Sequence, residues 1–248
     1  MISYLFNTFF FNPIYNGLVF LVEFFPWMDL GVAIIIVTII VKFIIFPLTK
    51  KSIKLQIIQK KIEPELKKIK EKYKDNKEEQ AQKIMALYKE KGLNPLSSIL
   101  ILIIQIPVIF ALYFVLLKGG LPEINHEILY SFINNPESIN TFFLGLVDMT
   151  GKSLILALLA GISQYIQIKL MLPKLEPKKS NHQKTFKDDL MRSMNTQMRF
   201  VMPVIVFFIS YSLPAAIALY WITSNIFMIF QEIFVKRKME SQSLKIRN

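Results

Sequence analysis

"IIIVTIIVKFIIFPLTKK", residues 34–51, is hydrocarbon almost throughout, yet Lys42 interrupts it well before the basic end at Lys50 and Lys51. A helix needs about 20 apolar residues to cross a hydrocarbon core of about 30 Å, and extending this stretch backwards gives a membrane span at 30–48. The same reading finds spans at 97–117 and 153–172. A further block, 200–235, is too long for one crossing at about 1.5 Å per residue. It is broken by "SLP", Ser212 to Pro214, because proline cannot continue the helical ladder and its predecessor avoids helical geometry. Two spans joined as a tight hairpin follow, five in all. The first of the pair is short unless its helix starts near Met194.

The rest of the composition agrees with that setting. Hydrophobic residues make up 53% of the 248, while the formal net charge is +12, so apolar and basic segments are segregated along one chain. The expected class is an all-α, polytopic membrane protein. Cysteine is absent, which removes disulfides, thiolate metal sites and thiol nucleophiles. His126 and His182 stand far apart in polar stretches, and no nucleotide-binding, zinc-protease or serine-hydrolase pattern occurs. No cofactor, no metal and no catalytic residue is expected.

Lysine and arginine near span ends are retained in the cytoplasm. Residues 1–41 and 119–151 contain none, whereas 50–91, 174–199 and the tail with Lys236, Arg237, Lys238, Lys245 and Arg247 are basic. Five spans with the N-terminus outside and the C-terminus cytoplasmic satisfy that alternation. The charge excess therefore gives no independent support for nucleic-acid binding. The N-terminal segment, 1–29, lacks the basic start and cleavage site of a secretory signal. Its aromatics, Pro13 and Glu23 favour an amphipathic helix lying in the interface over a sixth span.

Between the first two spans, Leu55, Ile58, Ile62, Leu66, Ile69 and Tyr73 keep helical spacing, as do Ala81, Ile84, Leu87 and Tyr88. Asp75 or Asn76 can cap the second of these helices, Glu79 is placed for a capping box, and Gly92 with "NP" stops it. The segment 52–93 reads as a cytoplasmic helical hairpin, set off by "TKKS" and "KGLNP". Its first helix would extend roughly 30 Å if continuous through Pro64. The hairpin's lysines are a solvated face or a surface for anionic lipid, ribosome or protein.

Three stretches resemble a known family: "VKFIIFPLTKKSIKLQ" from Val41, "IEPELKKIKEKYKDNKEEQAQKIMALYKEKGLNPLSSILILIIQIPVIFALYFVL" from Ile62, and "LPAAIALYWITSNIFMIFQ" from Leu213. They are similar, in order, to the core of the YidC family of membrane protein insertases. The resemblance covers the region 30–238 and leaves a tail at 239–248. It implies a bacterial plasma-membrane protein that is not an enzyme and that helps other proteins insert and fold, as insertase and chaperone. Its implied partners are nascent membrane proteins, the lipid bilayer, the ribosome and the Sec translocon. The resemblance also implies a polar groove open to cytoplasm and lipid but closed outside. The chain looks like a short form without the large extracytoplasmic domain, and it has Lys42 where the family usually has arginine.

Polar seams within the spans mark the same groove from the residues alone. Thr38 and Lys42 share a face with Thr49, Ser98 and Gln105 share one with Asn94, and Gln164 and Gln167 share another. Tyr220 and Ser224 form a stripe with Gln231, beside Trp221, Asn225 and Glu232. For any one of these residues, interhelical hydrogen bonding of about 1 kcal/mol is as good an explanation. Four seams together favour a shared wet interior, with Thr38, Lys42, Ser98, Gln105, Gln164, Gln167, Tyr220, Trp221, Ser224 and Asn225 as its substrate-facing residues.

Lys42 lies about 12 Å along the helix from Lys50. That is a long reach for a snorkelling stem, and a charge near the bilayer centre needs water or a partner. No acidic residue lies within the first four spans to supply one. Met191, Met194, Met198 and Met202 make a stripe, for which ordinary packing is the expected role. Two other functions compete with insertion. A secondary transporter would show repeated halves with broken helices, and none is found. An intramembrane hydrolase would pair Lys42 with Ser98, Ser163 or Ser224.

Overall fold

In hydrocarbon each backbone N–H and C=O must be satisfied within its own segment, so the long apolar runs have helix as their only open-chain solution. A computed structural model describes residues 1–92, 96–117, 121, 123–134, 138–171 and 186–245, with only the backbone at 2, 59, 60, 63, 67, 96–104, 186–196, 240 and 242–245. The chain begins with α1 (Ile2–Phe6), which passes through a π-helical turn (Asn7–Phe11) into α2 (Asn12–Phe24). There follow α3 (Leu30–Lys61), α4 (Glu63–Lys72), α5 (Lys77–Glu90) and α6 (Leu96–Leu117). Two short strands, β1 (Phe142–Phe143) and β2 (Val147–Asp148), precede α7 (Leu154–Met171), α8 (Phe186–Ser212) and α9 (Ala215–Lys245).

Among the described residues, four helical stretches are long and apolar enough to cross a membrane: Ser3–Phe24, Leu30–Ile58, Leu154–Met171 and Ala215–Met239. Shorter apolar stretches, Gln105–Leu117 and Gln197–Ser212, belong to α6 and α8. The protein is an all-α polytopic membrane protein, with one small strand pair among the described residues. The interruption at Ser212 to Pro214 falls where the sequence placed it, between α8 and α9. α8 starts even earlier than Met194, at Phe186. The leading amides of α9, which lack intrahelical acceptors, donate outward instead: Ala215 N to Gly151 O at 2.7 Å and Ala216 N to Met149 O at 3.1 Å.

Four local features depart from the sequence reading. α3 runs straight through "TKKS", because none of those residues breaks a helix. The interruption comes at Ile62 (φ −91, ψ 5), just before Pro64 in the first turn of α4. Proline lacks the N–H that would continue the ladder, so the first hairpin helix is not continuous. The β1–β2 hairpin was not expected at all. Its register pairs Phe142 with Asp148 and Phe143 with Val147, too short a run to leave an alternating pattern. Finally, Met198 and Met202 are exposed rather than packed, while the side chains of Met191 and Met194 lie outside the described residues.

The chain packs as two compact units, residues 1–43 with 105–229, and residues 44–104 with 230–248. The first is built on one apolar core containing Tyr15, Leu18, Leu30, Ile34, Val115, Met149 and Ile217. In it α7 and α8 meet closely at Gly161, where a Cβ would sit 3.2 Å from both Phe207 Cβ and Pro203 O, the small-residue approach common between membrane helices. The second unit has its own cluster of Ile62, Leu66 and Leu87. There Asn76 caps α5 by accepting from Glu79 N at 3.1 Å, with its side-chain amide 3.4 Å from the Glu79 carboxylate, and Gly92 follows the helix at φ 65. Gln80 then donates to the carbonyls of Lys70 and Tyr73, satisfying the exposed end of α4.

Candidate functional site

Lys42 sits on α3 among apolar neighbours and is only 5% exposed. Its ammonium donates to Gln105 Oε1 on α6 at 2.9 Å. The Gln105 side-chain NH2 in turn donates to the Tyr220 hydroxyl on α9. The charge orients this relay: an ammonium can only donate, so it takes the amide carbonyl and leaves the amide N–H for the phenol. Ser224, one turn along α9, also bonds to Tyr220. Among the described residues Lys42 has no carboxylate within ion-pair distance, so its charge is solvated by one neutral dipole. One of its three ammonium donors is used among the described residues.

A second polar contact lies in the same unit. Asn225 Nδ2 donates to Ser163 Oγ at 3.0 Å, and Ser163 donates to Ala160 O at 2.9 Å. Both side chains are buried. The structure thus brings Lys42, Gln105, Tyr220 and Ser224 together and joins Asn225 to Ser163, which the polar seams had not included. The remaining seam residues act locally. Thr38 donates to Ile34 O at 2.6 Å and Thr49 to Ile45 O at 2.9 Å, both on their own helix. Gln164 donates to Gln167 at 3.1 Å, and Gln167 lies 2.8 Å from Met171 Sδ. Trp221 packs half-buried against the apolar core. The side chain of Ser98 lies outside the described residues.

One further feature escaped the seam reading: Ser210 on α8 is fully buried, and among the described residues its hydroxyl has no hydrogen-bond partner; a lone serine in an apolar run left no periodic signal. Gln231 on α9, in the second unit and part of the seam, is 5% exposed, and among the described residues both its amide atoms are unpartnered. Ser–Lys hydrolysis needs the amine within hydrogen-bond reach of the hydroxyl. Here Lys42 is bonded to Gln105, and Ser163 is committed to Asn225 and Ala160.

The model of the 60Kd inner membrane protein family matches residues 20–242. A Clostridium tetani protein named membrane protein insertase YidC is 34% identical over 219 residues, 88% of this chain and 86% of that protein. One of the same name from Fusobacterium nucleatum is 33% identical over 210 residues, 85% of this chain and 87% of the relative. A Pelobacter propionicus relative, also so named, is 35% identical over 210 residues, but the match spans 84% of this chain and only 35% of that longer protein.

Proposed function

This chain belongs to the 60Kd inner membrane protein family, and from that premise we propose that it is a membrane protein insertase acting through a polar site around Lys42. The observation that carries the reading is a buried lysine whose only described bond is to a neutral amide. A permanent structural ion pair would have used a carboxylate. A cation held by a dipole keeps most of its field available to a passing anion, and that field is strong where the dielectric is low.

In this reading the polar tail of an incoming protein passes the Lys42–Gln105–Tyr220 relay while its apolar helix partitions along the exposed apolar faces of α7 and α9, such as Ile155, Leu158 and Ile162, and Ile226 and Phe230. Each unsatisfied backbone group in hydrocarbon costs several kcal/mol, so shortening the dry path lowers the barrier steeply. Driving force comes from burial of the substrate helix and from the membrane potential, about 2.3 kcal/mol per charge per 100 mV. No hydrolysed cofactor is required. The hairpin α4–α5 serves capture of the nascent chain on the cytoplasmic face, alone or beside the Sec translocon and the ribosome, with its lysines as the contact surface.

The N-terminal helix is tied to residues 125–130. Asn16, near its middle, donates to Ile128 O and accepts from Tyr130 N, and the Tyr15 hydroxyl accepts from Asn125 N. If that helix crossed the bilayer, its bonded midpoint would carry His126 and Glu127 towards the membrane centre, where charge is costly. An interfacial position, as the sequence suggested, avoids this.

Reconstituted protein tests the site. One model substrate is made with zero, one or two acidic residues in its translocated tail. Lys42→Arg should retain insertion, Lys42→Ala should impair acidic tails more than neutral ones, and Lys42→Glu should impair acidic tails most. Equal losses across the tail series would sink the electrostatic role.

A further inference from the structure

Between Ser138 and Val147 the sequence "SINTFFLGLV" carries no charge, and its hairpin tip turns large apolar side chains outward. Phe142, Leu144 and Leu146 are 51%, 66% and 82% exposed. The connection 144–146 places Leu144 at φ 52 and Gly145 at φ 70. Turns of this hand favour glycine, asparagine or aspartate, because a branched side chain at positive φ is strained. A leucine there sacrifices local comfort for an apolar tip.

The base of the hairpin is fastened to the start of α3. Asp29 accepts Val32 N through Oδ1 and Leu144 N through Oδ2, each at 2.9 Å, so one buried carboxylate caps the span and holds the strained residue. Leu30 N donates to Asn140 O at 2.8 Å. Phe143 covers Gly31 so closely that a Cβ there would collide with its ring. The tip is thereby held where α3 enters the hydrocarbon. Trp27, two residues before Asp29, is 76% exposed, with its ring 5.8 Å from that of Phe25; tryptophan gathers at such interfaces.

We infer that the β1–β2 tip is a lipid-embedded wedge: Phe142, Leu144 and Leu146 enter the leaflet facing residues 121–151, and with Trp27 they fix the depth of that end of α3. The occupant follows from continuity, since Phe142, Leu144 and Leu146 extend the apolar surface of a membrane span, and the carboxylate of Asp148 at the base of the hairpin is engaged by Thr150 rather than left free to select a protein partner.

The chain has no cysteine, so a single environment-sensitive nitrobenzoxadiazole label can be placed at Leu144→Cys, and independently at Leu146→Cys, where no positive φ is at stake. In proteoliposomes of the purified protein, both labels should emit to the blue of the same label at Glu127→Cys. Both should be quenched by lipids carrying a shallow acyl-chain nitroxide and protected from aqueous iodide. Leu144→Asn with Leu146→Ser keeps a turn-compatible backbone, and a label at Phe142→Cys in that background should move into water. Iodide quenching at 144 and 146 equal to that at 127, with indifference to the lipid nitroxide, would overturn the wedge whether or not the protein inserts substrates.

Discussion

At the scale of single residues, Gln105 sets what Lys42 can do. A neutral carbonyl stabilises the ammonium without cancelling it, and leaving a buried charge wholly unpaired would cost more than a lost hydrogen bond. Gln105→Leu should therefore lower stability, while Gln105→Glu should raise it by creating an ion pair. If the site attracts acidic tails, that resident carboxylate competes with them. Losing about 1.4 kcal/mol of attraction is about tenfold in capture. Gln105→Glu should thus reduce insertion of an acidic-tail substrate by roughly that factor and spare a neutral one, measured side by side in proteoliposomes; an unchanged ratio would remove Lys42 from substrate selection. From the sequence, Lys42 was legible as a charge out of place. Its partner was not, because Gln105 is 63 residues away and nothing in either helix encodes which faces meet.

At the scale of elements, the α4–α5 hairpin and the β1–β2 hairpin make separate predictions. The first has its own core of Ile62, Leu66 and Leu87 and its own caps at Asn76 and Gln80. Gln80→Ala should destabilise it by about 1 kcal/mol, the typical net worth of a hydrogen bond, and speed proteolysis near Lys74. Removing 65–88 should leave a protease-resistant membrane core but impair insertion; full activity after the deletion would make the hairpin dispensable. In the second, burial pushes the Asp148 carboxyl up, but hydrogen bonds from Thr150 N at 3.0 Å and Thr150 Oγ1 at 2.8 Å, with a further one from Thr141, outweigh it and hold the group below its ordinary 3.8. A depressed folded value contributes stability that is complete above the unfolded pKa and is lost as pH falls through the folded one. Acidification below about pH 4 should therefore loosen the hairpin, seen as rising hydrogen exchange at Thr150, and Asp148→Asn should flatten that dependence. The caps of α5 were readable because they are local chemistry, three residues apart. The β pair was not, since Asp29 and Leu30 hold it from outside the segment.

At the scale of the whole molecule, orientation is the property to measure. Single cysteines at Ser3, Asn125 and Asn181 should react with an impermeant reagent from outside, outside and inside respectively. Ser3 reacting from the side opposite Asn125 would mean that Ser3–Phe24, which has the length to cross, does so.

What the amino-acid sequence determined alone is the all-α polytopic character, the interruption at Pro214 and the cap of α5, because each rests on hydropathy over one turn-rich or apolar window and on backbone groups that must be satisfied locally. It also contained the family resemblance, since that too is read along the chain. What only the tertiary structure decided is which polar residues meet: Lys42 with Gln105 and Tyr220, Asn225 with Ser163, Asn16 with the 125–130 loop, while Thr38, Gln164 and Gln167 turn to their own helices. A seam on one helix has several ways to be satisfied within its own turn or across an interface, each worth about 1 kcal/mol. The choice among them is made by the packing of apolar surfaces far apart in sequence.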